Sequence, residues 1–230
     1  MPATLELAFF AMVTAIVVGI PLGLYAGSKE DSWLAKAVMG FSILGFSVPT
    51  FWIGIMLMLL FSVVLNWLPV AGRGEPGRFL GIESAYFSAD GWRHILLPGI
   101  TLALYKVGIV IRVTRSGVRD LMHSEMVRFA RAKGVSMGRI MRVHVLRNLL
   151  VQIITVIGLE LGSVIAFAVV VETIFSWPGM GKLVIDSIMT LDRPVIVSYI
   201  LMITLMFLLI NLIVDVLYTI VDPRIRLQGN

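Results

Sequence analysis

Five stretches of about twenty apolar residues, divided by short polar segments, leave this chain few ways to fold. A run of that length matches the hydrocarbon thickness of a bilayer when it is helical, and only a helix satisfies its own backbone there. The runs are Thr4 to Tyr25, Ala37 to Leu65, His94 to Val113, Leu149 to Val171 and Pro194 to Ile220. Charged residues are only 14% of the chain and mean hydropathy is +0.95, values that exclude an ordinary soluble domain. The expected fold class is therefore all-α, a polytopic membrane protein with about five transmembrane helices. With 230 residues there is no room for a separate soluble domain, so residues 1–230 read as a single transmembrane domain.

Lys and Arg are unevenly shared between the two sides. One side collects Lys29, Lys36, Arg112, Arg115, Arg119, six in the segment 124–148, Arg224 and Arg226; the other has Arg73, Arg78, Arg93, Lys182 and Arg193. The richer side is expected in the cytoplasm, with the C-terminus. Because the net charge of +5 gathers beside spans, topology accounts for it and nucleic acid is not an expected partner. Cysteine is absent, which removes disulfides and thiolate sites together.

Within the spans, three features stand out. The second is longer than a bilayer needs and is interrupted by Pro49, so a tilt or kink is expected there. The sequence around it, SVPTFWIG, reads equally as a packing kink or as the lining of a path. Lys106 and Glu160 fall near mid-depth of the third and fourth spans, and each is costly there unless it meets a partner or water. Either they pair, or Lys106 snorkels while Glu160 faces an aqueous lumen.

Segment 66–93 reads as a polar loop with interfacial Trp67 and Trp92. Residues 172–193 are too polar to span, and Leu183, Val184, Ile185, Ile188 and Met189 suggest a short amphipathic helix at the outer surface or dipping in. Pro178, Gly179 and Gly181 predict a tight bend beside it. Segment 124–148, SEMVRFARAKGVSMGRIMRVHVLRN, cannot enter a bilayer. Ser124 can cap one short helix, Gly134 can end it in a left-handed conformation, and Ser136 can cap a second. Ala130, Ala132 and Gly134 would then allow close approach of another backbone, and Arg128, Arg131 and Lys133 could reach its carboxylates.

This segment resembles the EAA loop of ABC-importer permeases, in the variant of the dipeptide, oligopeptide and nickel branch. Ala130-Arg131-Ala132 stands where the general pattern has EAA, Gly134 takes the Gly position, and Leu146-Arg147-Asn148 closes the match. The Glu and the final Pro of the general pattern are absent, as is typical of that branch. The stretch VVETIFSWPGMGKL, with Glu172, Trp177, Pro178, Gly179 and Gly181, and the ending VDPRIRL resemble the same branch.

The resemblance implies a permease subunit of a binding-protein-dependent importer in the bacterial inner membrane. Its partners would be a second related permease, two ATP-binding cassette subunits that hold ATP and magnesium, and an external solute-binding protein. The 124–148 loop would couple to the ATPases, and the 172–181 stretch would shape an external gate. It also implies one more span ahead of Met1, giving six. Dipeptides, longer peptides, glutathione and nickel all remain open as cargo.

No enzyme constellation is present. The chain has no GxxxxGK[ST] loop, so ATP hydrolysis is expected on separate subunits and no cofactor on this one. His94, His123 and His144 are scattered without metal-ligand spacing. The competing reading is an ion-coupled secondary transporter using Glu160 and Asp215.

Overall fold

A computed structural model describes residues 2–79 and 81–221, without the side chains of Val151, Asp215 and residues 217–221. The VDPRIRL ending, with its Asp222-Pro223-Arg224 stop, and the Asp215 carboxyl fall outside the described residues. Among the described residues, four helices are long and apolar enough to cross a membrane: α1 (Pro2–Ser28), α4 (Ala89–Met122), α7 (Leu146–Ile174) and α9 (Arg193–Val221). Two shorter helices, α2 (Trp33–Ser47) and α3 (Thr50–Met58, extended by a π turn Leu59–Val64), qualify only as a pair.

The long helix α4 is the axis of the bundle, and α1 lies along it in parallel. Three glycines one turn apart make this possible. A Cβ added to Gly19 would stand 2.7 Å from Val110 Cγ1, one on Gly23 2.5 Å from Thr114 Cβ, and one on Gly27 2.7 Å from Val118 Cβ. Residue numbers climb together on both helices, which fixes their common direction. Small residues let the backbones approach, the usual source of helix association where lipid removes the hydrophobic drive. In contrast, α2 and α7 run antiparallel to α4. Gly108 meets Ser42 O and Gly45 meets Leu104 O on one flank, and Lys106 faces Glu160 on the other. Helix α9 in turn runs antiparallel to α7, with Gly158 opposite Val214 and Gly162 opposite Phe207.

The second apolar run departs from expectation. Where a kink was expected, α2 and α3 are separate helices at 103° to one another. The cause is a complete pair of helix ends around Val48-Pro49. Val48 N–H closes α2 on Leu44 O, both Val48 and Pro49 are extended, and Trp52 and Ile53 then donate to Pro49 O to open α3. Proline has no N–H to continue the first ladder and disfavours helix at the residue before it.

The chain ends of the spans gather at two poles. One pole holds the start of α1, segment 66–88, the end of α7 and α8 (Met180–Met189). Segment 66–88 is more structured than a polar loop. It forms a hairpin of β1 (Gly77–Phe79) and β2 (Ile82–Ser84), with Arg78 opposite Glu83 and Phe79 opposite Ile82, then a 3-10 turn Ala85–Phe87. The other pole holds α5 (Glu125–Ala132) and α6 (Met137–Arg139). Here too the structure corrects the sequence: α6 is not a separate short helix but continues through a π turn, Ile140–Val145, into α7.

Candidate functional site

The basic pole presents one well-made surface helix. Ser124 Oγ accepts from Val127 N–H at its start. At its end Gly134 adopts φ +74°, Gly134 N–H donates to Arg131 O at 2.9 Å and Val135 N–H to Ala130 O at 3.1 Å. These two bonds are the Schellman arrangement, which needs a left-handed residue at Gly134 and so favours glycine. Ser136 sits at the start of α6 in extended geometry, without a side-chain capping bond.

The inner face of α5 is Val127 and Ala130, packed with Val118, Ile140, Val145 and Leu149. Ala130 therefore holds the helix to the bundle and is not available for another protein, contrary to the sequence reading. A small residue reads the same in both roles, which is why the sequence misplaced it. The outer face carries Arg128, Phe129, Arg131, Ala132 and Lys133, all exposed, and a Cβ on Gly134 would meet nothing within 4 Å. Phe129 is 63% exposed with Lys133 Nζ 4.4 Å from its ring centre. A large exposed aromatic beside three cations has the composition of a contact surface.

At mid-depth the structure brings Lys106 and Glu160 together. Lys106 is fully buried, and its Nζ donates to Glu160 Oε2 and to Ser163 Oγ. Ser163 Oγ donates in turn to the Glu160 carboxylate at 2.8 Å. The ammonium also lies over two rings, Tyr105 at 5.1 Å and Phe167 at 5.5 Å. Tyr105 stacks on Phe46 at 5.3 Å, and Arg112 stands 4.5 Å over Phe46. Pro49 is exposed a residue away from Thr50, which lines a void of about 30 Å³ with Leu102, Tyr105, Lys106 and Phe167. The break between α2 and α3 and the ion pair are thus neighbours.

The opposite pole gathers Glu172, Trp177, Pro178, Gly179 and Gly181 into a packed knot. Glu172 is fully buried; Gly181 N–H (2.7 Å) and Lys182 N–H (3.1 Å), in the first turn of α8, donate to its Oε2. A carboxylate there is held by unpaired N–H groups and the helix dipole. Gly179 lies against that carboxylate and Gly181 against the Val169 backbone, so neither position has room for a side chain. Trp177 is fully buried and donates from Nε1 to Ala3 O at 2.9 Å; Met180 N–H donates to Thr4 Oγ1 at 2.8 Å. Pro178 is exposed. The inward stripe of α8 is Met180, Gly181, Val184 and Ser187, whereas Leu183, Ile188 and Met189 are exposed. Of the five apolar residues expected to form the helix's apolar face, the structure buries Val184, and it adds Met180, Gly181 and Ser187.

Sequence reasoning also missed Glu6. Its carboxylate pairs with Arg73 at 2.5 Å and accepts from Ala85 N–H at 3.2 Å, while Tyr86 Oη donates to Glu6 O at 2.6 Å. Burial, followed by the Glu6 charge, pushes the Tyr86 phenol above its ordinary value, so the hydroxyl stays a donor throughout the physiological range. A glutamate in the first turns of an apolar run was the available signal.

Among known proteins, the family model described as binding-protein-dependent transport system inner membrane component matches residues 19–227. The chain is 42% identical over 240 aligned residues to the di/tripeptide transport system permease protein DppB of Pseudomonas aeruginosa, covering 99% of this chain and 71% of that one. It is 40% identical to the dipeptide transport system permease protein DppB of Escherichia coli, covering 97% and 70%. In structure it is similar to a chain of the inward-facing MetNI methionine ABC transporter, with a TM-score of 0.73 over 96% of this chain and 93% of that one, at 13% identity. That likeness supports the all-α membrane fold, and the match over most of the sequence supports more. The chain belongs to the family of binding-protein-dependent transport system inner membrane components, as a multi-pass transport subunit of the inner membrane.

Proposed function

We propose that this chain is one permease subunit of an ATP-driven, binding-protein-dependent importer that carries short peptides inward across the membrane. The observation that carries the reading is α5, a capped helix outside the spans whose outer face joins exposed Phe129 to Arg128, Arg131 and Lys133. Such a face suits a groove with an apolar floor and acidic rim on an ATPase subunit. Two ATPases would supply ATP and magnesium. A second, related permease would complete the path, and an external binding protein would deliver cargo. Peptides are the favoured cargo because the relatives above are named for dipeptide and di/tripeptide transport.

The excess of Lys and Arg at the α5 pole supports its placement in the cytoplasm, with the C-terminus on the same side. Residues 1–230 would then form one transmembrane domain with 124–148 as its coupling element. The Lys106–Glu160 pair and the Pro49 break would border the path, and Glu172, Trp177, Pro178, Gly179 and Gly181 would frame its outer mouth. Rocking of the two permeases about that path would follow ATPase closure. The ion-coupled alternative loses its central site, since Glu160 already has Lys106 as its counter-ion.

Co-purification from native membranes tests the reading. The wild-type permease should bring down its ATPase subunits, and Phe129→Ala combined with Ala132→Glu should lose them while still inserting. Recovery of ATPase unchanged by both substitutions, or no ATPase with wild type, overturns it.

A further inference from the structure

The groups around Lys106 Nζ form a set that would bind any ammonium. A carboxylate from Glu160, a hydroxyl from Ser163 and the faces of Tyr105 and Phe167 are the donors and surfaces used to hold such cations. Here the chain's own ammonium fills the place. It does so on a flexible four-carbon stem from α4, whereas Glu160, Ser163 and Phe167 all stand on α7. Lys106 can therefore leave and the rest of the set stays. The pair is not sealed in, since Glu160 keeps 19% of its side chain exposed, Phe167 is half-exposed, and a void of about 30 Å³ beside Lys106 is lined by Thr50 at the α2–α3 break.

We propose that the Lys106–Glu160 pair reads zwitterions. The pair separates to admit a substrate with one free ammonium and one free carboxylate. Glu160, Ser163, Tyr105 and Phe167 take the ammonium, and Lys106 takes the carboxylate. This rests on the importer reading and names the charge state of its cargo.

The selectivity follows from what is left unpaired. A substrate with only an ammonium would satisfy Glu160 and strand Lys106 in a buried site. One with only a carboxylate would strand Glu160. Removing one member of a buried ion pair is strongly unfavourable, because the other charge stays desolvated without compensation. A neutral solute breaks the pair and answers neither half. A zwitterion alone leaves every charge answered, exchanging one ion pair for two.

The test is saturation-transfer NMR on the complete importer in nanodiscs without its binding protein, so that the delivery protein's own preference does not contribute. The probes are glycyl-phenylalanine, its N-acetyl form and its C-terminal amide. Wild type should saturate the zwitterion about fivefold or more over either derivative, and Lys106→Met with Glu160→Gln should level the three. Phe167→Leu, which removes one exposed ring face, should lower the zwitterion signal about two- to fivefold. Equal saturation of all three probes by wild type overturns the proposal, as does a double variant that keeps the preference. If the double variant fails to insert, the wild-type comparison and Phe167→Leu decide. ATP-driven peptide uptake by wild type in vesicles, with binding protein added, is scored separately: its absence beside intact discrimination sinks the importer reading and leaves the zwitterion site standing.

Discussion

The two poles of this protein are fastened by different chemistry. At the hairpin pole, hydrogen bonds join segments far apart in sequence: Trp177 to Ala3, Met180 to Thr4, Gly72 to Phe175, Arg73 and Ala85 to Glu6. At the basic pole, α5 rests on Val127 and Ala130 against an apolar bed. A side-chain hydrogen bond also joins it to α7, Asn148 Nδ2 donating to Met126 Sδ at 3.9 Å. Buried polar bonds are directional and costly to leave unmade, so they hold one relative position. Apolar contacts are non-directional and tolerate a slide. The difference makes the hairpin pole the more rigid of the two and leaves α5 freer to shift.

The contrast can be broken by substitution. Trp177→Ala removes a fully buried ring and its bond to Ala3, and should cost about 3–5 kcal/mol, seen as a large fall in the melting midpoint of the purified protein. If that midpoint barely moves, the hairpin pole is not the rigid one. Glu6→Gln strands a largely buried Arg73; since Arg73 keeps 18% exposure, a cost of about 2 kcal/mol is expected, less than for a fully buried pair. Thermal titration of the two variants together tests whether they weaken one shared unit, in which case their effects will not add.

The basic pole should respond less. Ser124→Ala loses the cap of α5 and should cost ~1 kcal/mol, read as faster amide exchange confined to 125–132. Exchange that spreads into α4 and α7 would show the poles to be equally coupled. Smallest of all, Phe129→Ala should change stability by less than ~0.5 kcal/mol, because the ring is mostly in solvent. A stability loss as large as that of Trp177→Ala would erase the contrast altogether.

Legibility in the sequence also divided along physical lines. Span positions were readable because the bilayer imposes a length and an apolar composition that no partner can alter. The cap at Ser124 and the left-handed Gly134 were readable for a similar reason, being decided within a turn or two of chain. What depended on distant packing was not. Pro49 announces a disturbance, but whether the helix bends or stops and restarts at 103° depends on what α4 offers α2 and α3. Ala130 and Ala132 look alike until the Val118–Ile140–Leu149 bed shows which one is turned inward. Strands of three residues, as in Gly77–Phe79 and Ile82–Ser84, are too short to leave a period. The Glu172 carboxylate needed the fold to show that backbone N–H groups of α8 answer it.

The glycine ladder between α1 and α4 has a consequence for how the protein is made. Gly19, Gly23 and Gly27 meet Val110, Thr114 and Val118, which leave the ribosome about ninety residues later. At ~5–20 residues per second, α1 waits roughly 5–20 s before its partner exists. During that wait the α4 surface that its notched face fits does not exist, and α2, which packs antiparallel on the other flank of α4, lacks that surface too. The bundle is thus committed to assembly around a late arrival, and delays in translation between residues 28 and 110 lengthen the period in which α1 and α2 lack that partner.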